Sequence, residues 1–151
     1  MTILLTEEDV QALLPMEEAV EVCEQAFRHL GSGMAVNHPR QRIRTKNGMF
    51  QMMTAADNSL GVHGFKTYAG GGGMIVFLYQ SESGELLAII HANTLGQIRT
   101  GAASGVATKH MARENSEIVG MIGTGYQAET QLEAMCAVRP IMNARAFGRS
   151  E

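Results

Sequence analysis

Apolar residues recur at helical spacing through Ala19, Val20, Cys23, Ala26, Phe27 and Leu30. That period predicts an amphipathic helix opened by Pro15, whose missing N–H is harmless in a first turn, and closed by Gly31 and Gly33. A shorter helix should precede it, with Thr6 as N-cap, Glu7, Glu8 and Asp9 at the positive end of the helix dipole, and an end near Leu14. Seven acids and one base, Arg28, fall between Thr6 and Leu30, so most of these acids read as a solvated face.

Past Asn37 the period changes. Arg40, Arg42, Arg44 and Lys46 alternate at a spacing of two, which puts all four on one side of an extended strand. Residues 48–55, 61–68, 74–80 and 86–92 are short, rich in β-formers and separated by turn signals such as Asp57-Asn58 and Ser83-Gly84. Strands in such succession imply an antiparallel or mixed sheet. Asn93 or Thr94 is placed to cap the next helix, whose small residues Gly101, Ala102, Ala103, Ser104, Gly105 and Ala107 suit close approach to another backbone.

From Ser116 onward the pattern changes again. Ile118 to Ile122 is a continuous apolar run, read as a strand buried on both faces, and it leads into Gly123-Thr124-Gly125-Tyr126-Gln127-Ala128. A helix over 127–138 and a strand over 144–147 should follow. Strand, glycine turn, helix and strand is the opening of a dinucleotide-binding fold. In this G-x-G-x-x-A string Gly123 permits the tight turn, Gly125 leaves room for a diphosphate, and Ala128 lets helix and strand touch. Amide groups at the helix start, from Thr124 to Gln127, would hold the phosphates. No acid stands at the end of the second strand, where Gly148 is followed by Arg149, so NADP is favoured over NAD, with Glu151 as an alternative acceptor for ribose. The fold class is therefore α/β, with an amino-terminal domain over 1–115 and the first unit of a Rossmann domain over 116–151.

Composition narrows the function classes. In 151 residues, 45% apolar and 18% charged residues are the balance of a globular domain, and a net charge of -3 offers no general attraction to nucleic acid or anionic lipid. No apolar run approaches the roughly 20 residues that cross a bilayer, and the acidic start is unlike a signal peptide, so a cytoplasmic protein is expected. Cys23 and Cys136 read as reduced structural thiols without metal-ligand spacing. His38, His63, His91 and His110 are too dispersed for a metal site or a nucleophilic triad.

Several stretches resemble the ornithine cyclodeaminase and mu-crystallin family: LGQIRTGAASGVATKHM from Leu95 to Met111, HPRQRI from His38, GFKT from Gly64 and IGTGYQA from Ile122. The resemblance implies a homodimeric enzyme with an α/β domain that supplies the substrate pocket and a Rossmann domain that holds NAD(P). It makes Arg42 the grip on the substrate carboxylate, with Arg40 and Arg44 on the same face as register alternatives. Lys66 becomes the proton relay beside the reacting carbon. Arg99 lies between substrate and cofactor, with Thr100 next to it on the nucleotide side. The implied reaction is hydride transfer at the α-carbon of an amino or imino acid: ornithine to proline plus ammonia, or a related imine reduction or amino-acid dehydrogenation. A non-catalytic nucleotide-binding protein of the crystallin type, or an inactive fragment, is the alternative. The glycines from Gly70 to Gly73 read as a flexible loop where several relatives have a longer one. A dinucleotide domain needs about six parallel strands and two are present, so the chain reads as truncated. An exposed apolar face and an open sheet edge should follow, favouring aggregation or pairing with another chain.

Overall fold

The computed structural model describes residues 1–149. It contains β1 (Ile3–Leu5), α1 (Glu7–Leu13), α2 (Met16–Gly31), β2 (Ala35–Asn37), β3 (Gln41–Thr45), β4 (Gly48–Asp57), β5 (Val62–Ala69), β6 (Ile75–Gln80), β7 (Leu86–His91), α3 (Asn93–Met111), β8 (Ile118–Ile122), α4 (Ala128–Val138) and β9 (Asn143–Phe147). The four expected central strands and the expected helices are present, and the class is mixed α/β. The chain forms two compact units: Met1–Leu13 with Gln25–Gly96, and Leu14–Glu24 with the chain from Gln97 onward.

The first unit is built on a seven-stranded sheet in the order β1-β7-β6-β5-β4-β2, with β3 also paired to β4. All neighbours are antiparallel except β1, which adds to β7 in parallel. β2 and β3 lie one after the other along the same edge of the long strand β4. Pro39 stands between them and has no N–H to donate to the ladder, so pairing stops at His38, which bonds the Thr54 carbonyl at 3.0 Å. Pairing resumes at Gln41 one residue out of step. That slip acts as a bulge, and because side chains alternate it decides which face Arg42 and Arg44 occupy.

One sheet face carries Gln51, Met53, Lys66, Tyr68, Val76 and Ile90 in cross-strand register. The other carries an aromatic ladder: Phe65 stacks on Phe77 with ring centres 4.8 Å apart, and His63 on Tyr79 at 5.5 Å. Val10, Ala88 and Ala92 are the buried apolar residues of this unit. β5 and β6 approach so closely that a Cβ on Gly64 would lie 2.4 Å from the Phe77 carbonyl oxygen.

Two expectations about polar residues are corrected here. Asn93 reaches back to the loop before β6, where its Oδ1 accepts the Met74 N–H at 3.2 Å. The first N–H groups of the helix are capped by Glu7, whose two carboxylate oxygens accept those of Asn93 and Thr94 at 2.9 and 2.7 Å. Glu7 is therefore structural and not part of a solvated face. Burial works to raise its pKa, but the Thr94 and Asn93 bonds outweigh that and hold it below the ordinary carboxylate range. Thr6 caps α1 as expected, exchanging hydrogen bonds with Asp9.

In the second unit α3 is the central element. Ala102 is fully buried, a Cβ on Gly101 would lie 2.3 Å from the Thr130 carbonyl oxygen, and one on Gly105 would sit 3.0 Å from Val20 and 3.3 Å from Ala134. The run of small residues thus admits α2 and α4 at near-backbone distance. Glu24 departs from the solvated-face reading as well. It is buried and bonds Lys109 at 2.6 Å and His110 at 3.0 Å. At the same end of α3, the Arg139 guanidinium donates to the carbonyls of Thr108, Lys109, Ala112 and Arg113 at 2.7–3.0 Å. A cation there meets the negative end of the helix dipole.

β8 and β9 pair in parallel with α4 between them, giving the expected strand-helix-strand unit. Ile118–Ile122 is not buried on both faces, however. Ile118 is 59% exposed, Ile122 96% and Phe147 67%. A parallel pair gains burial only from layers on its faces and further strands at its edges, and two strands with one helix supply neither in full.

Candidate functional site

Two groups of the expected site residues are assembled, one in each unit. In the first unit, the bulge at Pro39 puts Arg42 opposite Gln51, Gln51 opposite Tyr68, and Lys66 two residues from Tyr68 on the same face. The Tyr68 hydroxyl donates to Gln51 Oε1 at 3.0 Å. Arg40 donates to the same oxygen at 3.5 Å, with its guanidinium 5.9 Å from the Tyr68 ring centre. The Lys66 ammonium lies 5.5 Å from that ring centre, within cation–π range. Lys66 is half-buried and its cross-strand neighbours are Met53 and Val76, so its stem crosses apolar surface while the ammonium reaches the tyrosine. Arg40 is thus engaged with Gln51 and Tyr68. Arg42 and Arg44 are exposed, and no described residue bonds their guanidinium groups. Of the three register alternatives, Arg42 combines an unengaged fork with a place opposite Gln51.

In the second unit the turn after β8 has the backbone a diphosphate cradle needs. Gly123 has φ +105°, which excludes side chains, and its N–H continues the parallel ladder by donating to the Phe147 carbonyl at 2.8 Å. The Ala128 N–H closes the turn onto the Gly125 carbonyl at 2.8 Å. Among the described residues none accepts from the N–H groups of Thr124, Gly125 or Gln127, and no side chain caps the start of α4. Gly125 has open space where a Cβ would be. A cavity of about 490 Å³ lies here, lined by Ile122, Gly123, Gly125, Tyr126, Ala128 and Gln131 among others. Unengaged amides at the positive end of a helix, below an open glycine, fit a phosphate-bearing ligand.

Arg99 and Thr100 lie inside α3. The Arg99 side chain is exposed, and its carbonyl receives the Cys23 thiol at 3.8 Å. Burial pushes the Cys23 thiol pKa up, opposed by the charge on Arg99, so this thiol stays protonated and structural as expected. Cys136 is exposed, and both cysteines are unpaired. The Thr100 carbonyl accepts Gln131 Nε2 at 3.3 Å. Arg149 is exposed beyond β9, while Glu151 lies outside the described residues. Among the described residues no His, Cys, Asp and Glu group could hold a metal ion, and no helix is long and apolar enough to cross a membrane.

Sequence reasoning passed over Gln97, which ties α3 to the turn through the Tyr126 carbonyl. It also missed the half-buried pair His29–Asp57, at 2.6 Å. The His29 bond holds the Asp57 pKa below the ordinary range, and Asp57 also accepts the Ser59 and Leu60 N–H groups, which makes the pair a clamp on the end of β4. The Asp-Asn turn signal at 57–58 was the one available hint of it.

Comparison with known proteins bears on both groups. The family model for the ornithine cyclodeaminase/mu-crystallin family matches residues 1–151. The alanine dehydrogenase of Archaeoglobus fulgidus is 35% identical over 156 aligned residues, covering 97% of this chain and 48% of that protein. Among solved structures, Thermococcus litoralis Delta(1)-pyrroline-2-carboxylate reductase in complex with NADH and L-proline matches with a TM-score of 0.90 at 34% identity, covering 98% of this chain and 50% of its own. An archaeal alanine dehydrogenase dimer with bound NAD also gives 0.90 at 34%, covering 99% and 49%. The chain spans about half the length of the relatives it matches. With the family match extending over residues 1–151 and an α/β fold shared with nicotinamide-binding relatives, the chain belongs to the ornithine cyclodeaminase/mu-crystallin family.

Proposed function

We propose that this chain provides the substrate-binding domain and the first dinucleotide-binding unit of an oxidoreductase acting at the α-carbon of an amino or imino acid. The observation that carries the reading is the turn from Gly123 to Ala128. It leaves the amides of Thr124, Gly125 and Gln127 without acceptors among the described residues, at the start of a helix that follows a parallel strand, in a chain whose relatives carry NAD or NADH. When bound, the nicotinamide donates or accepts the hydride.

The chain's own residues then have distinct tasks. Arg42 presents a planar guanidinium that suits a carboxylate bidentately. Lys66, among Met53, Val76 and Tyr68, moves protons at the substrate nitrogen or α-carbon. Arg99 holds the carboxylate from α3, next to Thr100 on the nucleotide side. The amides of Thr124 to Gln127 receive the diphosphate. Arg149 favours a 2′-phosphate, and so NADP, although the two solved relatives described above carry the unphosphorylated nucleotide. The domain division at 115/116, a cytoplasmic setting and a homodimer belong to the same reading. The dimeric alanine dehydrogenase relative supports the homodimer.

Turnover by the full-length enzyme that contains this chain tests this proposal. Reduced nucleotide should be oxidised with a cyclic imino acid or with a 2-oxo acid plus ammonia, while ornithine with the oxidised form tests for ammonia release. Lys66→Ala should reduce the active reaction by roughly a hundredfold or more. Full turnover in Lys66→Ala would refute the assigned chemistry.

A further inference from the structure

The second unit contains a set of hydrogen bonds that the proposed chemistry does not use. Gln97 donates its amide N–H to the Tyr126 carbonyl, the Thr130 hydroxyl donates to the Gln97 carbonyl at 3.2 Å, and Gln131 donates to the Thr100 carbonyl at 3.3 Å. Thr130 is buried, and its backbone passes so close to Gly101 that a single methyl group would collide with it. The first turns of α3 and α4 are therefore laced together by side chains from both helices. The lacing spans Gln97 to Thr100 on one side and Tyr126 to Gln131 on the other, the segments that carry Arg99 and the glycine turn.

A trans peptide is planar, so the carbonyl of one residue and the N–H of the next point in opposite directions. Once Gln97 holds the Tyr126 carbonyl, the Gln127 N–H must point away from the Gln97 amide. That N–H has no acceptor among the described residues, and Gln127 lines the cavity at the turn. Without the Gln97 bond the Tyr126–Gln127 peptide could rotate, and the Tyr126 carbonyl, a partial negative charge, could face a bound phosphate.

We infer that Gln97 is a positioning residue for the nucleotide: it fixes the Tyr126–Gln127 peptide so that an amide, not a carbonyl, faces the diphosphate. This rests on the reading that the turn binds a dinucleotide, and it assigns Gln97 no contact with substrate or cofactor.

The test compares the wild-type chain with Gln97→Leu, which removes the donor, and Gln97→Glu, which keeps the shape but presents oxygen to the carbonyl. Far-UV circular dichroism verifies folding. Two quantities are read: amide hydrogen exchange across residues 122–128 without ligand, and affinity for NADH and NADPH. Loss of one such bond should speed exchange at Ala128, whose N–H closes the turn onto the Gly125 carbonyl, and weaken nucleotide binding, each by roughly tenfold in Gln97→Leu, with Gln97→Glu affected at least as strongly. Unchanged exchange in both folded variants would overturn the inference, as would faster exchange with unchanged affinity. A wild-type chain that binds neither nucleotide would refute the underlying reading, a different result from binding that ignores Gln97.

Discussion

The two sheets of this protein are made from similarly apolar segments, yet they end in opposite situations. β4 to β7 follow one another through short connections, pair antiparallel, and form a seven-stranded sheet with β1 and β2 on its flanks and Ala88 buried. β8 and β9 pair in parallel across α4, and Ile118, Ile122 and Phe147 stay largely in water. An antiparallel array gains a partner with each successive strand. A parallel unit needs a crossover helix for each strand and layers on both faces before its apolar residues leave water. An apolar run thus predicts a strand in both places but predicts burial only where the surrounding layers exist.

This contrast can be broken or sharpened experimentally. The largest effect should come from charging matched positions in the two sheets. Ala88→Asp places a carboxylate inside the first unit and should cost about 3 kcal/mol or more, while Ile118→Asp should stay within about 0.5 kcal/mol and reduce self-association. Chemical denaturation and light scattering measure the two. Equal destabilisation would show that β8 is buried in solution.

Next come the close approaches. Gly64→Ala and Gly101→Ala each press a methyl against a carbonyl oxygen at an unrelaxed 2.4 or 2.3 Å, and each should cost about 1–3 kcal/mol. Hydrogen exchange should locate the loss in β5 and β6 for the first and in α3 and α4 for the second. A smaller loss is expected from Arg139→Ala, about 1–2 kcal/mol, since the guanidinium serves four carbonyls at the end of α3 but is partly solvated. It should appear as fraying at the end of α3.

The smallest effect is pH-dependent. Because folding lowers the Glu7 pKa, its contribution is fully present above the unfolded value of about 4.3 and is lost as the pH falls through the folded value. The stability difference between wild type and Glu7→Gln should therefore be greatest near pH 7 and shrink in acid, as followed by thermal melts. A difference that grew in acid would remove Glu7 from its capping role.

Legibility in the sequence followed physical range. The strands β4 to β7 and the helices α2 to α4 could be read because alternation and helical period are local properties. The turn at Gly123 could be read because its chemistry lies in the backbone, and glycine reports backbone conformation directly. The cationic strand was visible from its spacing of two, but a one-residue slip at Pro39 decides that Arg42 shares a face with Lys66, and that slip depends on pairing with β4. Glu7, Glu24, Gln97 and Arg139 act on backbone or charges far away in sequence, and nothing in their neighbourhoods distinguishes them from solvated residues. β1 and β2, at three residues each, are too short to show a period.

The central claim is that the turn after β8 receives the diphosphate of a nicotinamide dinucleotide. Titration of NADH and NADPH into the wild-type chain and into Gly125→Glu, followed by nucleotide fluorescence, tests it most directly. Gly125→Glu fills the open space with a carboxylate while leaving the φ of Gly123 untouched. The expected result is saturable binding to the wild-type chain and at least a tenfold loss in Gly125→Glu, because a like charge would occupy the phosphate position. Identical titrations for the two proteins would contradict the claim.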